Sequence, residues 1–363
     1  MLSALRVFVF FAVTFVAGLF ICILHVPLLP LRLLTPRWYQ VANIALTSHF
    51  WPVLPYLYLQ WGHGKIKVYG DALRKEFKCI VFANHQDSRD WLVGFCLAYH
   101  SDALGGMKCI MKNTLAFLPV FGWLMFLCDF PFISRQATSV KTIQKFCKKM
   151  IHYPQSLWFC LFPEGTRFSM SKLADSIQFC ESKQIKPFRR VLCPRIGGFH
   201  AALEALRDNI DAVYDVTIMY DTRMSQSRFL KGQGDSTTYV TVREIPIANV
   251  PVKEADVKEF LMRAFRVKDD IMTEYAGSFS LNPFVCSHTF FPRFENSKGK
   301  DMQKICKIAF GSSVSPAVLK PTEIFFSGYQ FHSWAMLEII TYGAWYWLHP
   351  SSFILAVSLS LFQ

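Results

Sequence analysis

Two polar clusters interrupt an otherwise apolar chain: Asn84-His85-Gln86-Asp87-Ser88-Arg89-Asp90 and Pro163-Glu164-Gly165-Thr166-Arg167. In the first, His85 can serve as a general base that takes the proton of an attacking hydroxyl. Asp90 can fix the tautomer of the ring and steady the imidazolium. On one continuous helix the two side chains would point about 140° apart, since the helix turns once in about 3.6 residues. They meet only if His85 sits in a turn and Asp90 in the first helical turn. Asp87 and Ser88 suit the start of such a helix. Taken alone, the same spacing also fits a surface histidine beside a capping aspartate.

The second cluster offers backbone N–H groups, the Thr166 hydroxyl and the Arg167 guanidinium. Gly165 lets the backbone approach a ligand closely, and Arg167 can grip a phosphate with two parallel bonds. An ordinary strand-to-helix turn has the same composition. Between the clusters, Lys112 and the segment Phe132-Ile133-Ser134-Arg135 add two cations. A phosphate monoester carries nearly two negative charges and calls for about this complement.

Elements that could hold these clusters follow from hydrophobic periodicity. Strands are predicted over Lys65–Tyr69, Cys79–Ala83, Leu157–Phe162, Val213–Tyr220 and Tyr239–Ile245. Helices are predicted near Trp91–Tyr99, Ser139–Ile151, Gly198–Arg207 and Lys253–Tyr275. This alternation predicts an α/β domain with a central mixed sheet. Asp235–Thr238 and Asn282–Lys300 read as loops. Both polar clusters directly follow a predicted strand, where ligand sites of α/β sheets gather.

The composition points to a membrane. Hydrophobic residues make up 52% of the 363 residues, aromatics 16%, and the net charge is +13. That excludes a disordered chain. The positive balance suits nucleic acid, anionic lipid head groups or a polyanionic substrate. Val7 to Leu31 carries no Lys, Arg, Asp or Glu, which is enough for a spanning helix. It is longer than the core of a secretory signal and ends in Pro27, Pro30 and Arg32, so a retained anchor is expected. The uncharged, aromatic stretch Trp38–Gly64 suits an interfacial helix or a second span. Asn113–Ser134 reads as a greasy helix and loop beside the site. Phe325–Trp347 and Ser351–Phe362, parted by Pro350, suggest a helical hairpin in the membrane. The expected organisation is an anchor region over 1–64, a catalytic α/β domain over 65–275, a linker over 276–324 and the hairpin over 325–363. The 11 cysteines form no CxxC pair, which fits buried thiols in a reducing compartment. The chain holds no Asn-x-Ser/Thr sequon, in agreement with a cytosolic face for the catalytic part.

The motifs together resemble the glycerolipid acyltransferase family, and specifically the 1-acylglycerol-3-phosphate acyltransferases. Asn84, His85 and Asp90 match its Asn-His-(four residues)-Asp motif, and Phe132 with Arg135 its Phe-x-x-Arg motif. Phe162 to Arg167 match its Phe-Pro-Glu-Gly-Thr-Arg motif throughout, and Leu192-Cys193-Pro194-Arg195 its fourth, proline-containing motif. Asn84 to Thr217 is similar to the endoplasmic-reticulum members of plants and animals. The resemblance implies an α/β acyltransferase domain flanked by N- and C-terminal membrane helices. It implies His85 as general base, Asp90 as its partner, and Arg135, Glu164, Gly165, Thr166 and Arg167 around the glycerol phosphate. Lys112 would be a further phosphate contact, and Pro194 would shape the acyl side. No metal or prosthetic group is implied; acyl-CoA would be the co-substrate, lysophosphatidic acid the acceptor and the lipid bilayer a partner, with no nucleic acid. A multi-pass protein of the endoplasmic reticulum membrane is expected. Other lysophospholipids, such as lysocardiolipin or lysophosphatidylinositol, and glycerol 3-phosphate are rival acceptors, and a non-catalytic membrane scaffold is the rival outside the class. One departure stands out: Arg195 precedes Ile196-Gly197-Gly198-Phe199, where the family commonly has Thr-Lys-Gly-Phe.

Overall fold

The structure is a computed structural model that describes residues 2–48, 50–75, 77–133, 139–154, 156–221, 226–232, 234, 236–277, 304–309 and 320–325. Nine strands are described: β1 (Gly64–Gly70), β2 (Cys79–Ala83), β3 (Met107–Cys109), β4 (Met111–Lys112), β5 (Phe132–Ile133), β6 (Trp158–Leu161), β7 (Ala212–Tyr220), β8 (Ser236–Pro246) and β9 (Thr322–Ile324). Seven of them form one sheet in the order β3-β6-β2-β7-β8-β1-β9, while β4 and β5 pair separately. The β7–β8 and β1–β9 pairs are antiparallel and the other pairs of the large sheet parallel, which makes it a mixed sheet.

Period-two alternation sorts the strand side chains onto two faces. Cys79, Val81 and Ala83 of β2 join a core with Trp51, Tyr58, Phe95 and Trp158. Ile80 and Phe82 join the opposite core with Phe159, Phe199, Leu261 and Phe265. Helices therefore cover both faces, which is why β2 and β7 are buried along their whole length. Burying one such large apolar side chain contributes about 1.5–3 kcal/mol.

The central strands decide where the two polar clusters go. β2 and β6 lie side by side and parallel, with Phe82 opposite Leu161. Both point the same way, so the chain leaves both strands at one edge of the sheet, and the two clusters emerge as neighbours. The helix after the first cluster spans Asp90–His100.

The N-terminal run forms a helix over Leu2–His25, continued by a 3-10 turn and a short helix over Leu29–Leu34. Among the described residues, Val7–Leu34 alone is long and apolar enough to cross a membrane. Much of its surface is open, with Phe8, Val16 and Ile23 exposed, while Ala17 and Ile21 pack into the core. Pro52 and Pro55 lie where the Trp38–Gly64 stretch divides into short helices, none long enough to span. Several of its rings serve the domain: Phe50, Trp51 and Tyr58 are buried, and Trp51 lies 5.7 Å from the Phe95 ring, while Trp38 stays exposed. The segment 113–133 forms a 3-10 turn and a helix over Phe121–Leu127. Arg32, at the end of the apolar run, holds it through Asp129 at 2.7 Å and the Phe126 ring at 4.7 Å. The loop Asn282–Lys300 and, apart from Phe325, the expected C-terminal hairpin lie outside the described residues.

Candidate active site

The turn after β2 puts His85 outside the helix and Asp90 at its first residue. His85 Nδ1 lies 2.7 Å from Asp90 Oδ2. A carboxylate only accepts, so Nδ1 carries the proton and donates, and the lone pair is left on Nε2. Asp90 is fully buried, and its Oδ2 also accepts from the backbone N–H of Gln86 (2.7 Å) and Asp87 (3.0 Å). Its Oδ1 accepts from the Tyr220 hydroxyl at 2.6 Å. The carboxylate is thus held from four directions, and it holds the imidazole. The ring stacks on Phe162 with centroids 4.4 Å apart and keeps 24% of its side-chain surface open, enough for a substrate to reach it.

Asn84 fixes the turn to the sheet. Its side-chain amide donates to Ile218 O at 2.9 Å and accepts from Ile218 N–H at 2.8 Å, so it imitates a strand neighbour of β7. Arg89 is buried beneath the turn, bonded to Asp87 and Ser236 and set over the Tyr220 ring.

Glu164 has a different place from the phosphate contact expected of it. It is buried, and both oxygens are taken by backbone donors: His85 N–H at 2.7 Å and Leu192 N–H at 3.0 Å. The side chain ties the His85 turn to the loop of the fourth motif. Gly165 adopts φ +68, where only glycine is at ease. A Cβ there would lie 3.3 Å from the Arg195 side chain. Thr166 Oγ1 accepts from Lys172 Nζ at 2.6 Å, and Lys172 also donates to Arg167 O at 3.0 Å. Arg167 itself is exposed beside this turn. The strand-end position thus gathers His85, Thr166, Arg167 and Lys172.

The fourth-motif loop is held from several sides. Asp269, on the helix Glu254–Gly277, accepts from the backbone N–H groups of Arg189, Arg190 and Val191. Gln86 donates to Arg190 O at 2.9 Å. Pro194 follows on this loop, half-buried, and lines a groove beside Glu164 and Thr166. Lys112 is exposed on β4, paired with Ile133 of β5, so it neighbours the start of the Phe-x-x-Arg segment. Arg135 lies outside the described residues.

Sequence reasoning missed Tyr220, Asp269 and Lys172. The first two act from strands and helices distant along the chain, and their neighbours carry no local signal. Lys172 sits on a helix, Met170–Ser182, that was also missed. Its signal was present: Ser169 caps it by accepting from Lys172 N–H, and Leu173, Ile177 and Cys180 follow at helical spacing.

Burial raises the Glu164 carboxyl to about 8, against the pull of the two amide donors. An unfolded chain releases this proton near 4.5. Across that window the folded protein binds more protons than the unfolded one, so Glu164 stabilises the fold at low pH and less as pH rises toward about 8. Glu164→Gln cannot ionise and should lose this slope. Melting temperatures of both proteins in detergent, from about pH 5 to about pH 8, check this. The native advantage should shrink as pH climbs; a constant difference would show that Glu164 does not titrate there.

The acyltransferase family model matches residues 65–221, and the acyltransferase C-terminus model matches residues 228–301. The 1-acyl-sn-glycerol-3-phosphate acyltransferase 2 of Brassica oleracea is 30% identical over 274 residues, covering 73% of this chain and 70% of that one. Its namesake from Brassica napus is 28% identical over 304 residues, covering 81% and 75%. The lysocardiolipin acyltransferase 1 of Gallus gallus is 29% identical over 259 residues, covering 69% and 67%. With the His85–Asp90 pair and the Glu164–Arg167 turn meeting at one sheet edge, the chain is an acyltransferase and belongs to the 1-acyl-sn-glycerol-3-phosphate acyltransferase family.

Proposed function

We propose that this enzyme transfers a fatty acyl group from acyl-CoA to the sn-2 hydroxyl of 1-acylglycerol 3-phosphate, giving phosphatidic acid. The observation that carries the reading is the His85–Asp90 pair at 2.7 Å, with the imidazole partly exposed and adjoining the Arg167 turn. The acceptor hydroxyl gives its proton to His85 Nε2 as its oxygen attacks the thioester carbonyl. Asp90 steadies the imidazolium. Collapse of the tetrahedral adduct breaks the carbon–sulfur bond, and the departing thiolate of CoA takes the proton from Nε2. The histidine ends as it began, so the step needs no prosthetic group or metal. Arg167, with Arg135, Thr166 and Lys112, would hold the phosphate of the acceptor.

The open apolar face of Val7–Leu34 supports a retained membrane anchor, and the endoplasmic reticulum is the membrane we propose for it. After alkaline carbonate washing the full-length protein should remain in the membrane pellet. Recovery of a soluble protein cleaved near Ala17 would refute the anchor.

The test of the transfer itself uses labelled acyl-CoA and 1-acylglycerol 3-phosphate with purified protein, followed by phospholipase A2. The label should leave the product entirely as free fatty acid; label retained in the lysolipid would contradict sn-2 transfer. The likeness to a protein named lysocardiolipin acyltransferase favours lysocardiolipin as the second acceptor to assay.

A further inference from the structure

A groove of about 950 Å³ opens beside the motif loops. Three parts of the chain wall it: the Glu164–Thr166 turn with the helix Met170–Ser182, the loop from Leu192 to Ile196, and the first two turns of the helix Glu254–Gly277. Ligand pockets usually measure about 300–1,000 Å³, so this one accepts a large ligand. A glycerol phosphate head group would fill a small part of it.

The lining describes the occupant. Leu192, Leu261 and Met262 give it apolar walls, and Phe179 stands at its side with 51% of its surface exposed. Four cations, Lys172, Lys183, Arg195 and Lys258, line it against the acids Glu164, Asp175 and Glu259. Glu259 is already engaged by Arg263 at 3.8 Å. Positive charge reaches the groove from Lys172, Lys183 and Lys258 on the flanking elements. A fitting ligand is large, carries more than one phosphate and presents a flat ring to Phe179, because aromatic faces stack on bases.

We propose that this groove binds the nucleotide end of the acyl donor, with Lys183 and Lys258 on its phosphates and Phe179 against the purine ring. The inference rests on the acyl-CoA reading above. Glu164 lines the groove and also accepts from His85 N–H at 2.7 Å. Glu164 thus joins the groove to the catalytic turn, and the pantetheine arm would run past this side chain to bring the thioester to His85.

The test measures binding of free CoA and of pantetheine to full-length protein in detergent, for the native chain and for Lys183→Glu/Lys258→Glu. Both lysines are exposed, so charge reversal should leave the fold intact. Native protein should bind CoA at least about tenfold more tightly than pantetheine, and the double variant should lose most of that preference. In acyl transfer, the variant should show a raised KM for acyl-CoA, with its kcat and its KM for the lysolipid unchanged. An unchanged CoA affinity overturns the proposal, as does an equal loss with pantetheine. A raised KM for the lysolipid alone would place the acceptor in the groove and also overturn it. Absence of transfer to lysophosphatidic acid by the native protein, with CoA preference intact, would strike the acceptor assignment and leave this site standing.

Discussion

His85→Ala should lower kcat by about 10²–10⁴-fold, the range a positioned general base supplies. KM for either substrate should change little, because the imidazole acts on a proton that moves only as the reaction proceeds. The ring is partly open and bonded mainly to Asp90, so its removal leaves the turn held by Asn84, Glu164 and the Asp90 carboxylate. Asp90→Asn should cost a comparable factor by a different route. An amide can present its NH2 to the ring, which then protonates Nε2 and loses its basic lone pair. Asp90 also accepts from two backbone groups and from Tyr220, so this variant should melt at a lower temperature, whereas His85→Ala should not. Steady-state kinetics and thermal melts of both variants check the pair. A His85→Ala protein keeping a tenth or more of native turnover would remove the base from the mechanism.

The second large effect is expected at Arg167. Arg167→Ala should lower kcat/KM for lysophosphatidic acid by roughly tenfold to a few hundredfold, the worth of a charge-assisted, two-point contact with phosphate. Arg167→Lys keeps the charge but loses the planar fork, so it should fall between the two. The guanidinium is exposed, and Lys172 donates to the Arg167 carbonyl rather than to its side chain. The fold should therefore survive both changes, and the loss should be read in activity. Turnover of lysophosphatidic acid that is unchanged in Arg167→Ala would exclude this residue from the acceptor site.

The parts of the site that are local along the chain were legible in the sequence. His85 and Asp90 lie five positions apart, and strand, turn and helix patterns sufficed to bring them together. β2 and β6 announced themselves as short apolar runs because both of their faces are buried, and β7 as a run rich in β-branched residues. The role of Glu164 was not legible. Its partners, His85 and Leu192, are far away in sequence, and a motif shared with phosphate-binding relatives suggests a ligand contact rather than a bridge. Tyr220 and Asp269 were invisible for the same reason: each reaches the site from an element brought close by the sheet order. The aromatic stretch Trp38–Gly64 carried an ambiguous signal, since rings that suit a lipid interface also suit a core. Packing decided in favour of the core: Trp51 lies against Phe95 of the helix Asp90–His100, and Tyr58 against Phe229 and Thr238.

The most direct measurement is acyl transfer from labelled acyl-CoA to a panel of lysolipids by purified protein in vesicles. The panel holds lysophosphatidic acid, lysophosphatidylcholine, lysophosphatidylethanolamine, lysophosphatidylinositol, lysocardiolipin and glycerol 3-phosphate. A phosphate monoester carries nearly two charges, whereas the esterified head groups leave one on each phosphate and add bulk where Arg167 would bind. Lysophosphatidic acid should be the preferred acceptor, with phosphatidic acid as the labelled product and no transfer in His85→Ala. Equal acylation of lysophosphatidylcholine, or labelling of lysocardiolipin without labelling of lysophosphatidic acid, would contradict the proposed reaction.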